Sequence, residues 1–391
     1  MACFTLAVAL FITLAIFLLR CRRRHRVYTN YSDIATLLDP PHSPTPLLLS
    51  ARARPNERLA RAFGLGNSFV SADTRVRKEF IARARELLRK HTQRFAAFPD
   101  AARDTVTGVA SHLLRSYHHQ NATPFARFVQ VVTMRLVVFS LLGGDIPQDT
   151  GEDVIFVVDT INELWASSKT HPTHTQAGVL ERLNEHLSQW LPTYERPIDF
   201  IIPAYETMWR VVAVTVARAG RDRMARAAFS AYLNSPVEQY KRFDNGGPSV
   251  EAFLCEVLRL HPPSRRLARA TPQFTSFPRW TQAADDVADL EALHQDIDTW
   301  GQEGHVFDPM RFHPDRLSQE QHRSFIPFGY GPLRCIAFKE APHFAAIVAA
   351  SILEVVRVDE PCGRYRLVCG ERLGRREGWE GWAIEVGGTG G

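Results

Sequence analysis

The feature that most constrains the fold of this chain is a glycine-rich loop, residues 328–337, followed at once by a long apolar helix pattern. The loop carries two glycines and a proline and presents one cysteine, Cys335, where the helix is predicted to begin. Free N–H groups and the dipole at a helix N-terminus stabilise an anionic sulfur, so the sequence predicts that Cys335 is a metal-binding thiolate. Glycines let the backbone pass close to a flat cofactor, because they have no Cβ. A buried cysteine beside a tight turn is the alternative interpretation.

Composition and charge argue against a nucleic-acid-binding protein. The chain has 391 residues, a formal net charge of +5 and 45% hydrophobic residues, which is ample for a buried core. Its 47 basic and 42 acidic residues differ by five, and five arginines without any acid lie within residues 1–26. The remainder is therefore neutral overall and gives no basic footprint for phosphate groups.

The cysteines indicate a reducing compartment. The six are scattered along the chain and form neither a disulfide framework nor a paired Cys-x-x-Cys zinc pattern. They stand at Cys3, Cys21, Cys255, Cys335, Cys362 and Cys369. Because disulfides accumulate in oxidising compartments, the simplest inference is that this chain works where thiols stay reduced.

The first 56 residues divide into an apolar segment and a basic, proline-rich segment. Residues 1–19 contain no charged side chain, which predicts a transmembrane anchor. A cleaved signal peptide is the alternative, but no basic region precedes the apolar run. The arginines that follow predict that the rest of the chain faces the cytoplasm, and these arginines are themselves predicted to lie against anionic lipid headgroups. Residues 20–56 are predicted to be a basic juxtamembrane segment and proline-rich linker, and residues 57–391 one folded domain.

Apolar residues recur at helical spacing along most of the chain. This spacing predicts helices over residues 74–95, 124–142, 152–168, 176–191, 198–219 and 249–261, and a further one after Cys335. The last thirty residues alternate between apolar and polar like a short hairpin. The predicted fold is therefore mainly α with a small β portion.

The helix over residues 198–219 contains a proline near its middle. Pro203 has no N–H to donate to the carbonyl of Asp199, so the helix is predicted to bend there. Glu206 and Thr207 follow this break, where an acid and a hydroxyl are able to hydrogen-bond to a bound ligand or water. An ordinary kinked core helix, in which Glu206 forms a salt bridge, is the alternative.

Two further motifs combine a carboxylate with arginines. Glu256 and Arg259 stand three residues apart on one predicted helix, so they share a face and are able to pair. Arg311 lies in a Phe-Asp-Pro-Met-Arg-Phe stretch shortly before the glycine-rich loop, and Arg269 ends a basic run after residues 262–263. Taken alone, such residues are common on solvated surfaces.

Four stretches, taken in their order along the chain, resemble the motifs of the cytochrome P450 family. They are Pro-Ala-Tyr-Glu-Thr, Glu-x-x-Arg, Phe-x-Pro-x-Arg-Phe and Phe-x-x-Gly-x-x-x-Cys-x-Ala, and the first looks like the variant found in membrane-bound fungal members. The resemblance implies a cytochrome P450-like fold that binds haem b through the Cys335 thiolate. It implies further cofactor contacts by Phe328, Gly331, Arg334 and Arg269, the last with a haem propionate. The Trp-x-x-x-Arg pair typical of the family does not occur between residues 74 and 95.

The same resemblance implies roles for the remaining motif residues. Glu206 and Thr207 would deliver protons at the distal face of the haem. Glu256, Arg259 and Arg311 would form a buried structural triad beneath the cysteine loop.

The activity that the resemblance implies is monooxygenation. One oxygen atom of O2 would be inserted into a small, lipophilic substrate, with electrons from NADPH delivered by a membrane-bound flavoprotein reductase. With the predicted anchor, this places a single-pass protein in the endoplasmic reticulum membrane, in contact with membrane lipid, with its catalytic domain in the cytosol. Two alternatives stay open: a member that retains haem without monooxygenation, and a shortened, non-catalytic membrane protein without haem.

Overall fold

The computed structural model describes residues 26–116, 122–148, 150–169, 177–244, 246–270, 285–357 and 364–387. The predicted anchor over residues 1–19 lies outside these residues. The helices are α1 (Tyr31–Leu38), α2 (Thr45–Phe63), α3 (Thr74–Gln93), α4 (Phe98–Ser116), α5 (Phe125–Leu136), α6 (Gly151–Ser167), α7 (Ala177–Trp190), α8 (Ile198–Tyr205), α9 (Met208–Ala219), α10 (Arg223–Asn234), α11 (Pro236–Gln239), α12 (Val250–Leu260), α13 (Leu290–Leu293), α14 (Ile297–Trp300), α15 (Gln319–Ser324) and α16 (Glu340–Val355).

Short strands form two small sheets beside these helices. The strands are β1 (Val27–Tyr28), β2 (Ala122–Pro124), β3 (Arg266–Ala270), β4 (Asp285–Asp289), β5 (Val356–Arg357), β6 (Tyr365–Val368) and β7 (Ala383–Val386). One sheet has the order β1-β4-β3 and the other β2-β7-β6-β5. Strands β6 and β7 pair antiparallel, with Leu367 opposite Ile384, so the predicted C-terminal hairpin is confirmed. The mainly α fold with a small β portion is confirmed as well.

The centre of the core is the helix that follows the cysteine loop. Every residue of α16 from Phe344 to Ser351 is buried, as expected for a helix with apolar residues all round. It packs against α4, α9 and α10. Its burial fixes the position of the loop that precedes it.

The proline-rich linker predicted within residues 20–56 is wrong from residue 45 onward, because that part belongs to the folded domain. Residues 45–63 form helix α2, whose Leu49 and Phe63 are fully buried. Pro46 lies in the first helical turn, where a missing N–H costs nothing. Pro55 lies in the interior of α2 and removes one backbone hydrogen bond. The free energy lost there is offset by burial of the apolar face of α2.

Among the described residues, one helix is long and apolar enough to cross a membrane. It is the 22-residue stretch Ile198–Ala219, made of α8 and α9. Most of this stretch is buried against other elements, as in the core helix of a globular domain.

Candidate active site

The cysteine loop is held in a tight turn by its own backbone. The N–H of Cys335 donates to the carbonyl of Phe328 at 2.9 Å and closes the loop. Gly329 and Gly331 have φ values of 77° and 70°, in the left-handed region where a Cβ is unfavourable. A Cβ at Gly331 would also lie 2.6 Å from the Cβ of Asp39. Both glycines are therefore required by the shape of the loop.

The thiol of Cys335 is free, and its electrostatic setting differs from the prediction. Helix α16 begins at Glu340, five residues after the cysteine, so the sulfur does not lie at the helix N-terminus. The residue surface of Cys335 is exposed, yet desolvation by the surrounding loop raises the pKa of its thiol. The backbone N–H of Ala337 and the charge of Arg334 act in the opposite direction. The prediction that Cys335 lies at the start of the helix is therefore wrong, and its role as a thiolate ligand stays a prediction.

The three residues of the predicted structural triad lie together, and their position beneath the cysteine loop stays a prediction. Glu256 and Arg259 are fully buried and form two hydrogen bonds of 2.7 Å. Nε of Arg311 lies 3.8 Å from Oε1 of Glu256. The same oxygen accepts the backbone N–H of Asp308 at 2.9 Å. A buried carboxylate between two guanidinium groups ties α12 to the segment that precedes the cysteine loop.

Arg259 also connects the triad to a buried histidine. Its Nη1 donates to the backbone carbonyl of His294 at 2.7 Å. The His294 ring accepts the N–H of Ile326, close to the start of the cysteine loop, at 3.2 Å. Burial, together with the charge of Arg259, lowers the pKa of His294 to about 3. The ring is therefore neutral in the folded protein at any physiological pH.

We expect His294 to make the folded protein less stable in weak acid. In the unfolded chain the His294 ring binds a proton near pH 6.5, whereas in the folded protein it does so only near pH 3. The stability that the neutral ring contributes is therefore complete above pH 6.5 and is lost as the pH falls below that value. Between pH 7 and 5 the loss should be about 2 kcal/mol. Urea unfolding at pH 7 and pH 5 measures the loss in the free energy of unfolding, which should be smaller for His294→Gln than for wild type. The control His322→Gln changes an exposed side chain and should behave as wild type; an equal loss in all three proteins would contradict the assignment.

A second group of side chains near the loop consists of buried arginines. Arg52 and Arg269 are each 8% exposed, and no salt bridge to a carboxylate is found for either among the described residues. Burial lowers the pKa of each to about 10, and for Arg52 the neighbouring Arg269 and Arg77 contribute. Arg77 donates from Nη2 to the carbonyl of Pro332 in the loop, at 2.9 Å. Buried cations without an anion are costly, so this arrangement is suited to an anionic ligand.

Arg52 is the member of this group that sequence reasoning missed, because its segment was predicted to be a linker. It lies on α2 and donates to the carbonyl of Ser68, while its Nε finds no hydrogen-bond acceptor in the part of the chain that the structure describes. The predicted contacts Phe328 and Arg334 lie on the loop itself. Phe328 is half-buried, and Arg334 is exposed with its guanidinium 3.8 Å from the ring centroid of Phe338.

The predicted break in the long helix is confirmed. Helix α8 ends at Tyr205 and α9 begins at Met208, so Glu206 and Thr207 form the junction. The carbonyl of Asp199, left without its usual donor by Pro203, accepts Nδ2 of Asn67 at 2.8 Å. The carboxylate of Asp199 in turn accepts the N–H of Gly66 at 2.8 Å.

We expect Asn67→Ala to destabilise the folded protein by about 1–3 kcal/mol, because the buried carbonyl of Asp199 would lose its donor. Chemical denaturation measures the change. Asn184→Ala is a suitable control, because Asn184 donates to the carbonyl of Leu180, which lies within helix α7. If both variants lose the same small amount, the helix break does not depend on Asn67.

Glu206 is held by ion pairs rather than left free at the break. It is 1% exposed, lies 3.1 Å from Nη2 of Arg210, and binds Arg376 through both carboxylate oxygens. Arg376 comes from the loop between β6 and β7, where nothing in the sequence pointed to a partner for Glu206. This geometry matches the alternative of a salt-bridged core acid. Proton delivery by Glu206 and the half-buried Thr207 stays a prediction.

Comparison with known proteins agrees with this geometry. The family model of cytochrome P450 matches residues 248–353. Cytochrome P450 CYP749A22 from Panax ginseng is 34% identical over 110 residues, which cover 27% of this chain and 21% of that protein. Thromboxane-A synthase from Macaca fascicularis is 31% identical over 199 residues, which cover 46% of this chain and 35% of that protein.

Among solved structures, the haem domain of a cytochrome P450DA mutant is similar, with a TM-score of 0.60 and 16% sequence identity. The aligned region covers 92% of this chain and 86% of that haem domain, so the fold is that of a cytochrome P450 haem domain. The match to the cytochrome P450 family model is confined to residues 248–353, and the curated relatives that match the chain include further cytochromes P450. The chain spans between 20% and 45% of the length of the curated relatives described by these comparisons.

The residues present fit the haem that the family implies. Cys335 offers one free sulfur on a loop shaped by two glycines. No group of three or more His, Cys, Asp or Glu side chains suited to a metal is found in the described part of the chain. A single thiolate ligand to iron is the donor set of a haem-thiolate protein. The buried cations Arg52 and Arg269 are suited to its propionates.

Proposed function

We propose that this protein is a haem-thiolate monooxygenase. The observation that carries the proposal is the free Cys335 thiol on a glycine-shaped loop, in a chain that also brings Glu256, Arg259 and Arg311 together as a buried triad. When bound, haem with an axial thiolate supplies the activation of O2 that oxygen insertion requires.

The roles of individual residues follow from their positions. Cys335 would hold the iron, and Arg52 and Arg269 would pair with the propionates, in place of the absent Trp-x-x-x-Arg pair. Phe328, Gly331 and Arg334 would line the side of the haem that faces the cysteine. Thr207 would hydrogen-bond at the helix break, and Glu206 would take part in proton delivery once Arg376 moves away from its carboxylate.

The cellular location and the partners of the enzyme are part of the same proposal. The apolar residues 1–19 and the arginines after them support a single-pass anchor in the endoplasmic reticulum membrane, with the folded domain in the cytosol. Membrane lipid and a flavoprotein reductase that draws on NADPH would then be its partners. A small, lipophilic substrate is the class that suits a membrane-bound member.

The absorption spectrum of the purified full chain, reduced and exposed to carbon monoxide, tests the proposal. We expect a Soret band of the thiolate-ligated type. A band of the histidine type would indicate an altered site. No band in protein that is folded by circular dichroism would support a shortened protein without haem and overturn the proposal.

A second candidate is a haem-binding member that performs no monooxygenation. The observation that favours it is the binding of Glu206 by both Arg210 and Arg376, which leaves its carboxylate oxygens occupied. Product formation that is unchanged in Thr207→Ala would support this candidate. A loss of product at unchanged haem content would support monooxygenation.

A further inference from the structure

A cavity of about 470 Å³ lies where the C-terminal ends of α9 and α12 meet the segment after β4. We call it the α9–α12 cavity. Arg218 comes from α9, His261 follows α12, Glu291 lies on α13, and Arg375 lies between β6 and β7. The residues that line it include none from the cysteine loop, the triad or the helix break, so the proposed haem chemistry gives this cavity no role.

The charge of Arg218 is not balanced by a carboxylate. Its Nη2 lies 3.3 Å from Nε2 of His261, and its Cζ lies 4.7 Å from the ring centroid of Phe307. Burial, together with the charges of Arg218 and Arg259, lowers the pKa of His261 to about 4, so its ring is a neutral acceptor. Glu256 acts on Arg218 from a distance, but its carboxylate is bound by Arg259. Nε of Arg218 is buried and finds no acceptor in the part of the chain that the structure describes.

The two carboxylates that line the cavity are already held by other donors. Glu291 accepts Arg265 at 3.1 Å through one oxygen and Arg375 at 2.8 Å through the other. Asp289 accepts Arg266 at 2.8 Å, and its second oxygen accepts a backbone N–H of α13 at 3.0 Å. With Arg218, four arginines therefore face two carboxylates, which leaves an excess of two positive charges at the cavity.

We propose that the α9–α12 cavity binds the phosphate group of a phosphate monoester. A phosphate monoester carries close to two negative charges at neutral pH, which matches the excess of two positive charges. Its oxygens also accept paired hydrogen bonds from a guanidinium group. Gln295 and the exposed His305 line the same cavity and offer further donors. The inference does not depend on the proposed function, because no haem residue takes part in it.

The experiment compares methyl phosphate with dimethyl phosphate, because the two differ by one negative charge. Isothermal titration of each into the full chain at about pH 8 and low salt gives both affinities without relying on haem. We expect methyl phosphate to bind wild type at least about tenfold more tightly than dimethyl phosphate, and added salt to weaken its binding.

Substitutions at the cavity should change the affinity for methyl phosphate in opposite directions. Arg218→Gln should weaken binding about tenfold or more, whereas Arg218→Lys should retain most of it. Arg375→Gln, which changes an exposed side chain, should weaken binding as well. Glu291→Gln removes a negative charge from the wall and should tighten binding about twofold or more. A purely structural role of these residues would not produce a gain from Glu291→Gln.

Arg223→Gln is the matched control, because Arg223 is exposed at the start of α10 and does not line the cavity. It should leave the affinity unchanged. No binding of methyl phosphate to wild type, equal affinities for the two esters, or weaker binding by Glu291→Gln would overturn the inference.

A phosphate monoester is found both in free metabolites and in the headgroup of phosphatidic acid. Titration of glycerol 3-phosphate and of short-chain, soluble phosphatidic acid distinguishes these two sources. Equal affinities would support a free metabolite, and an affinity for phosphatidic acid that is at least about tenfold higher would support a lipid headgroup. Either preference should be lost in Arg218→Gln; if it persists there, the two ligands bind elsewhere and the inference fails.

Discussion

Replacing Cys335 with serine is expected to abolish the thiolate-type Soret band of the reduced, carbon monoxide-treated protein. A serine hydroxyl fits the same loop but does not supply an anionic sulfur, so the iron loses its protein ligand. Haem affinity should fall by at least about tenfold, since even changes around a metal ligand have effects of that size. Haem titration of the purified variant, with the spectrum recorded at each step, measures both changes.

Cys369→Ser is the control for this variant. Cys369 is a free, half-buried cysteine that lies after β6, outside the loop. Its substitution should preserve the band and the haem affinity. A Cys335→Ser protein that binds haem with an unchanged spectrum would show that another residue holds the iron.

Arg259→Gln is expected to produce the largest loss of stability. The substitution leaves the carboxylate of Glu256, which is fully buried, with only the more distant Arg311 as a charged partner. It also removes the donors to the carbonyls of His294 and Gly304. An uncompensated buried charge costs about 3–5 kcal/mol. The urea midpoint of unfolding, followed by circular dichroism, should fall accordingly.

Arg366→Gln separates this effect from the loss of any arginine. Arg366 pairs with Glu385 at 2.7 Å, but their side chains are 53% and 32% exposed. A solvent-exposed pair contributes at most about 1 kcal/mol. Similar midpoints for the two variants would mean that the buried triad does not support the fold.

Much of the site could be predicted because its motifs are short. Glu256 and Arg259 pair as expected since residues three apart on a helix share a face, whatever packs around them. The break after Pro203 follows from the missing N–H of proline. The closed turn around Cys335 follows from glycines that tolerate the left-handed region.

Other parts were predicted wrongly where a local pattern competes with packing. Prolines after residue 38 indicate a linker, but Pro46 suits a helix start and the apolar face of α2 is buried. The setting of Cys335 depends on where α16 begins, and a shift of five residues removes the sulfur from the helix end. Helix boundaries depend on capping and contacts that a spacing pattern does not contain.

The sequence by itself determined the cysteine on its glycine loop, the pairing of Glu256 with Arg259, the helix break and the mainly α fold, because each depends on residues close together in the chain. Only the tertiary structure decided which arginines lie close to these groups. Arg376 lies 170 residues from Glu206 along the chain, and Arg58 lies 110 residues from Ser168. Such pairings are set by the packing of whole elements against each other. For that reason the ion pairs of Glu206 and the buried Arg52 appear only in the folded protein.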